Sequence, residues 1–541
     1  MSNKPISPAT AYDYDYDYDY IVIGSGFGGS VSALRLAEKG YRVAVLETGR
    51  RYRDQDFAKS AWDARGTYWA PRLGLVGPTR LAIFKDIFIG SGSGVGGGSL
   101  VYANTLYRAK PAFFQNPQWG SLGDWNKDLQ PHYDTAERML GVKEVPWDSD
   151  SQQLLRQVGK HFGKEDSFRR TPCAVFFGEE GVTVPDPYFG GAGPDRTGCT
   201  RCGGCMSGCR VGAKNTLVKN YLWFAERAGA TILPETEVTS LQPLNDDDGV
   251  SGYAVHTVRS TALIGAEKRT LRARAVVVSA GALGTNRLLA KCKLKGSLPK
   301  LSQQLGQLVR TNSESILAVT LPDDRLYPTR DVAISASVHV THDTHIETVT
   351  YGANSDGLRY LFTLLTNDGN RITRPLQLLG QILRHPIWFL KTLSPRNWGR
   401  RTVMLLVMQS LDNAISFVAK RGLFGGVHLS TQQDPRKPNP TFIAEGYEAA
   451  RWLANLTGGI PQSMLPEALA NIPTTAHILG GAVIGKDANH GVVDCTGRVF
   501  GYQNLLICDG AIMPANPGVN PSLTIAALTE HIMSTIPPKD Q

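Results

Sequence analysis

The stretch Tyr20-Ile21-Val22-Ile23-Gly24-Ser25-Gly26-Phe27-Gly28-Gly29 decides the fold. An apolar strand runs into a G-x-G-x-x-G loop. From Ser30 to Lys39 the apolar residues Val31, Leu34 and Ala37 recur at helical spacing, and Gly40 can cap that helix. Tyr41 to Leu46 reads as a second strand that ends at Glu47. A glycine loop between strand and helix, with an acid closing the next strand, is the βαβ signature of a Rossmann-like dinucleotide site. Gly24, Gly26, Gly28 and Gly29, with Phe27 among them, bring backbone close to a pyrophosphate at the helix N-terminus. Glu47 is placed to accept hydrogen bonds from ribose hydroxyls. The bland alternative is a structural glycine turn; strand, helix and acid together speak against it.

Three further segments extend the pattern. Gly90 to Ser99 is a second glycine-rich loop, too flexible for a helix and rich in free N–H groups, with Gly97, Gly98 and Ser99 at its end. Val276 to Leu289 reads as strand, turn and helix around Gly281 and Gly284. Leu505 to Ile507 is a strand that runs on to Asp509 and Gly510. The first loop alone does not separate NAD from FAD.

With these segments in view, the chain resembles the glucose–methanol–choline (GMC) family of FAD oxidoreductases, and within it the bacterial cholesterol-oxidase branch. The matching segments are GSGFGG, GVGGGSL, SAGALGTNRLL, TTAHILGGAVIG and CDGAIMPANPGVNPSLTIAALTEHI, spread over almost the whole chain. The resemblance implies an α/β fold: a discontinuous Rossmann-like FAD-binding domain over 12–110, 210–310 and 470–541. An α+β substrate domain on an antiparallel sheet would take 111–209 and 311–469, including the cysteine-rich loop 198–210. It also implies FAD, and oxidation of a secondary alcohol on an apolar, sterol-like substrate (3β-hydroxysteroid to ketone), with oxygen or a protein or quinone as acceptor.

The family's His and Asn near the flavin fall on His477 in HILGG and Asn520 in GVNPS. A neutral imidazole suits removal of the hydroxyl proton as hydride leaves. Asn520 would position the hydroxyl. It can also cap a helix over 522–531 with Pro521 at the first helical position, whose N-terminus favours negative charge on reduced flavin. Asp509 would bind ribityl or phosphate hydroxyls. Two departures stand out. The Asn that follows GGGSL in the branch is displaced here to Asn104. The branch's isomerising Glu has no motif match, and Glu347 and Asp412 are the available acids, so oxidation is better supported than isomerisation.

Cys199, Cys202, Cys205 and Cys209 are spaced C-x2-C-x2-C-x3-C, the ladder of a bacterial ferredoxin. The loop resembles the insert of FAD-dependent sugar dehydrogenases, GMC relatives with an iron–sulfur cluster in the flavin subunit. Arg201, Arg210 and Lys214 would offset a cluster's negative charge. Free thiols or disulfides, and zinc, stay open beside it. A cluster would make a dehydrogenase wired to an external acceptor; a flavin and iron–sulfur carrier or redox sensor is a reading of another class. Cys173, Cys292, Cys495 and Cys508 read as isolated core cysteines.

Composition sets the frame. The chain has 541 residues and a net charge of +9, enough for two domains and a mildly basic surface; no nucleic-acid partner is expected. Eight cysteines do not make a secreted disulfide scaffold. No signal-type h-region precedes Tyr20 and no apolar run of membrane-spanning length occurs, so a cytoplasmic site follows. The repeat Asp13 to Tyr20 reads as a frayed tail whose last Tyr begins a strand. Residues 371–401 carry seven Arg or Lys and no acid among many apolar residues. They read as a basic interfacial segment at a membrane, or as a lid or core helix with snorkelling basics. His339, His342 and His345, on one strand, would alternate faces and share no metal.

Overall fold

The computed structural model describes residues 15–322, 330–422 and 426–540. The opening motif forms β1 (Tyr18–Ile23), α1 (Phe27–Glu38) and β2 (Val43–Leu46). The start of the Asp13–Tyr20 repeat lies outside the described residues; its end is strand from Tyr18 onward. The helix begins at Phe27, earlier than the periodicity indicates, because Gly28 and Gly29 themselves continue into its first turn.

β1 is the centre of a seven-stranded sheet. It pairs in parallel with β2 and with Lys268–Val278, and Lys268–Val278 pairs in parallel with Leu505–Ile507. Ile21, Val22, Val276, Val277 and Val278 are fully buried, as strands covered on both faces require. On one side Thr231–Leu233 extends the parallel set; on the other, Tyr253–Arg259 and Thr236–Pro243 add an antiparallel edge. This sheet therefore draws strands from 18–46, 231–278 and 505–507. The glycine loop 90–99 is not loop throughout: Phe88–Gly92 is a strand and Gly97–Leu100 a single 3-10 turn.

The second seven-stranded sheet is antiparallel, in the order 362–364, 460–464, 315–320, 402–409, 344–349, 334–339, 169–170. Its residues alternate faces with the period of two that a pleated strand imposes. Leu317, Val319, Leu405 and Val407 pack under the helices Asp150–His161 and Ala444–Thr457. Ala318, Ile334, Val349, Met404 and Leu406 form the opposite face. His339 and His345 come from the two strands of a hairpin and stack with ring centroids 4.5 Å apart, while His342 is exposed in the turn. The one-strand alternation expected for them is thus replaced by face-to-face pairing.

Among the described residues no helix is long and apolar enough to cross a membrane. Thr373–Arg384 and Pro386–Leu393 form a helix pair whose buried anchors include Arg374 and Leu378, while Leu376, Leu379, Leu383, Ile387, Leu390 and Leu393 are exposed.

Candidate active site

One large cavity lies between the two sheets, with about 1810 Å³ of empty space including its open mouth. Its lining runs from the glycine loops of the first sheet to the inner face of the antiparallel sheet, a cleft between layers of the kind in which ligands bind. One wall is bare backbone: Gly26, Phe27, Gly28, Gly98, Gly281 and Gly510. A Cβ at Gly28 would stand 1.6 Å from the Cys508 carbonyl oxygen, and one at Gly97 would stand 2.6 Å from the Gly26 Cα. Only glycine lets α1, the second glycine loop and the 508–510 turn close on one another here. The N-terminus of α1 has no acidic residue in its first turn, so its free N–H groups suit a pyrophosphate. These features fit FAD.

Gly24, Gly29, Glu47, Gly97 and Ser99 stand behind that wall rather than in it. Glu47 accepts from Ser25 Oγ at 2.7 Å, Ser25 N at 3.1 Å, Gly49 N at 2.8 Å and Gly94 N at 3.2 Å. Four donors fill a carboxylate's acceptor sites, so Glu47 ties the two glycine loops together. Ser99 Oγ donates to the Gly96 carbonyl at 2.7 Å. Asp509 does line the cavity; it accepts from Thr285 Oγ1 at 2.5 Å and Ala511 N at 2.7 Å. Burial pushes its carboxyl up to about 6 against those hydrogen bonds.

The opposite end of the cavity carries the titratable groups. His477 and Asn520, brought from separate motifs, both line it. Two carboxylates complete the cluster: Glu347, one of the two acids the sequence left available, and Glu314, which it did not mark. Glu314, at most 1% exposed, pairs with His477 Nδ1 and accepts from Ala476 N at 2.8 Å. Burial would depress the imidazole, but the Glu314 charge and hydrogen bond outweigh it and the His477 pKa is raised. Glu347, fully buried on Thr344–Val349, accepts from Asn520 Nδ2 at 3.2 Å. Its burial pushes the carboxyl up to about 8, against the pull of Asn520 and His477. Glu347 Oε1 and Asn520 Oδ1 are buried without a protein partner, two polar atoms that a ligand can satisfy. Asn520 stands one residue further from the helix than expected: Ser522–Ser534 is the helix and Pro521 its N-cap, so the Asn520 side chain serves the cavity instead of capping.

Asp412 is excluded by its ion pairs with Arg310 at 2.8 Å and Lys437 at 2.6 Å. Asn104 lies behind Ala103, which lines the cavity. The remaining wall is apolar: Ile316, Ile334, Val349, Met404 and Leu406, the inner face of the antiparallel sheet.

Family models described as GMC oxidoreductase match residues 192–307 and 445–529, and one described as FAD binding domain matches 19–95. A cholesterol oxidase of Mycobacterium tuberculosis strain H37Rv is 49% identical over 531 residues, covering 96% of this chain and 91% of that one. The chain belongs to the GMC oxidoreductase family. A cholesterol oxidase of Acinetobacter baumannii is 44% identical over 523 residues, covering 95% and 94%. Among solved structures, a pyridoxine 4-oxidase from Mesorbium loti shares the GMC fold at 16% identity, with a TM-score of 0.59 over 95% of this chain and 98% of that one. As a GMC protein the chain is an FAD-dependent oxidoreductase acting on CH–OH donors.

The cysteine loop lies against this GMC cavity. Cys199, Cys202, Cys205 and Cys209 are free thiols bordering one recess. Of the three cations expected to face it, Lys214 does. Arg201 turns instead to Glu180 at 2.9 Å and to the Trp147 ring, and Arg210 to backbone carbonyls of Gln55 and Phe57. Cys173 is not isolated; it packs in the same buried cluster as Cys199 and Cys205.

Proposed function

We propose that this enzyme oxidises the secondary 3β-hydroxyl of a sterol-like substrate to a ketone. The observation that carries the reading is the coincidence, in one cavity, of His477 paired to Glu314, of Asn520 with an unsatisfied oxygen, and of an apolar wall from the antiparallel sheet. The two cholesterol oxidases similar to it over nearly the full chain support the substrate class, and their being oxidases supports oxygen as acceptor.

Gly26, Phe27, Gly28, Gly98, Gly281 and Gly510 would hold FAD, which would supply the acceptor for the hydride of the alcohol carbon. Glu314 accepts the Nδ1 proton of His477, which leaves Nε2 as the basic nitrogen for the hydroxyl proton. Asn520, held by its amide nitrogen to Glu347, presents Oδ1 to orient that hydroxyl. The apolar wall keeps water from the reacting carbon and so strengthens each of these polar contacts. Anaerobic mixing with 3β-hydroxysterols, 3α-epimers and straight-chain alcohols tests the reading. Flavin bleaching fastest with the 3β-sterol supports it; equal rates for all three would overturn it.

A second reading of the same site is favoured by Glu347. A carboxyl protonated near neutral pH, beside a His base, can return a proton to a neighbouring carbon and shift a double bond after oxidation. Absorbance of a conjugated enone in the product, lost in Glu347→Gln, checks it.

Peripheral contact with a membrane is supported by the helix pair 373–393. Its exposed leucines and isoleucines, edged by exposed Arg384, Lys391 and Arg396, present an apolar face rimmed with positive charge, the chemistry of an interfacial helix at an anionic bilayer.

A further inference from the structure

Residues 311–314 lead into the strand Ser315–Thr320 and are at most 1% exposed. Asn312 and Ser313 adopt φ 58 and 48, left-handed values that persist where the surrounding structure over-determines them. Two such residues in succession break the period of two that a strand imposes. Nearby residues of the segment then reach different elements of the catalytic end.

Two of them hold the His477 motif. Glu314 takes His477 Nδ1 and the Ala476 amide. The Thr311 carbonyl accepts from Thr475 Oγ1 at 2.9 Å, and Thr475 Oγ1 in turn accepts from His477 N at 2.9 Å. Asn312 goes to the other motif. Its Oδ1 accepts from Gly518 N at 3.1 Å, its Nδ2 donates to the Val519 carbonyl at 3.0 Å, and its own N donates to Asn516 Oδ1 at 3.0 Å. The Asn312 carbonyl accepts from Gln409 N at 3.0 Å, which fixes it to the antiparallel sheet. Residues 516–519 are thereby held up to the residue that Asn520 follows.

The chemistry at position 312 is specific. The loop presents one donor, the Gly518 N–H, and one acceptor, the Val519 carbonyl. A side-chain amide matches both at once, in a single orientation. An aspartate would set an oxygen against the Val519 carbonyl, and an apolar side chain would take the partner from both groups. Asn520 has few fixings of its own: Nδ2 reaches Glu347 at 3.2 Å and Oδ1 has no protein partner. Where Oδ1 stands relative to His477 therefore depends on the backbone of 516–519, and that backbone on Asn312.

We propose that Asn312 is a positioning residue for alcohol oxidation. It clasps the Asn520 loop to the segment that carries Glu314, and so sets Asn520 Oδ1 against the His477 base. Asn312 itself does not line the cavity and acts through Asn520. The role rests on the reading of Asn520 as the group that orients the hydroxyl. A misplacement of about 1 Å at such a group costs on the order of 10²-fold in rate.

Asn312→Gly removes the clasp and accepts the left-handed backbone without strain. It is combined with Asn520→Ala in a double-mutant cycle on the full-length holoenzyme. The readout is anaerobic FAD reduction over a series of 3β-hydroxysterol concentrations, at equal FAD content. In Asn312→Gly alone the limiting rate should fall about 10- to 100-fold. Half-saturation by sterol should change little, because the apolar wall is intact. In the Asn520→Ala background the same change should cost less than about twofold. A merely structural role would slow both backgrounds alike, and that result would overturn the proposal. If Asn312→Gly does not fold, Asn312→Asp carries the same cycle: a loss that vanishes in Asn520→Ala supports the clasp, and one that persists there overturns it. A slow Asn520→Ala beside an Asn312→Gly of wild-type rate would overturn the clasp alone. A wild-type rate in Asn520→Ala would overturn the reading of Asn520, and the clasp with it.

Discussion

The carboxylate of Glu314 accepts a hydrogen bond from His477 Nδ1, joining two residues 163 positions apart in the chain. That contact sets the tautomer of the catalytic base and raises its pKa against the opposing effect of burial. Glu314→Gln keeps the shape but removes the charge. The acid limb of the kcat/KM profile should move to lower pH, and the rate at its plateau should fall about tenfold or more. An acid limb that stays in place in the variant would detach Glu314 from the base.

Glu347 titrates at the other side of Asn520. Its carboxyl is pushed up to about 8 by burial. The folded pKa exceeds the ordinary value of 4.5, so the stability contribution of the protonated form is fully present below that ordinary value and lost as pH rises through about 8. Melting temperature measured across this window should decline with pH in the wild type more steeply than in Glu347→Gln. If neutral Glu347 also donates to substrate, the same variant loses the alkaline limb of kcat/KM.

Arg374 pins the exposed helix pair to the protein. Its side chain and that of Glu467 are fully buried 3.7 Å apart, and Arg374 also donates to the carbonyls of Thr441 and Glu467. Arg374→Ala strands Glu467 without its partner, a loss of about 3–5 kcal/mol for a buried pair. Thermal unfolding should begin well below the wild type. A variant as stable as wild type would show that Tyr447 and Ser315, which also bond Glu467, suffice.

The apolar face of residues 376–393 should matter only where a bilayer is present. Leu383→Ser with Ile387→Ser should reduce co-sedimentation with anionic, sterol-containing vesicles and leave turnover of detergent-dispersed sterol unchanged. Binding to vesicles at the wild-type level would remove the membrane from the account.

Much of this architecture was legible in the sequence because its determinants are local. The βαβ unit is written in Tyr20–Glu47, and His477 and Asn520 lie in motifs dense with glycine and proline. Glu314 was not legible, and Glu347 only as one of two available acids. Each sits in a strand or strand edge of ordinary composition, and only the antiparallel sheet carries them to His477 and Asn520. Only the structure shows the local sign of Glu314: Asn312 and Ser313 just before it have φ 58 and 48, a conformation side chains rarely adopt without a reason. Glu47 was legible as the acid that closes the second strand, but not its contacts with Ser25, Gly49 and, from the second glycine loop, Gly94. The helix pair was legible as basic and amphipathic, but not which basics are buried. Arg374 and Arg401 are internal, leaving Arg371, Arg384, Lys391, Arg396 and Arg400 for the surface.

The central claim is that His477 removes the proton from a sterol hydroxyl beside the flavin. Anaerobic single-turnover reduction of FAD by a 3β-hydroxysterol, compared between wild type and His477→Ala at equal FAD content, tests it most directly. The account predicts a loss of about 10²–10⁴-fold in the reduction rate, with FAD retained. Flavin reduced by the variant at the wild-type rate would contradict it.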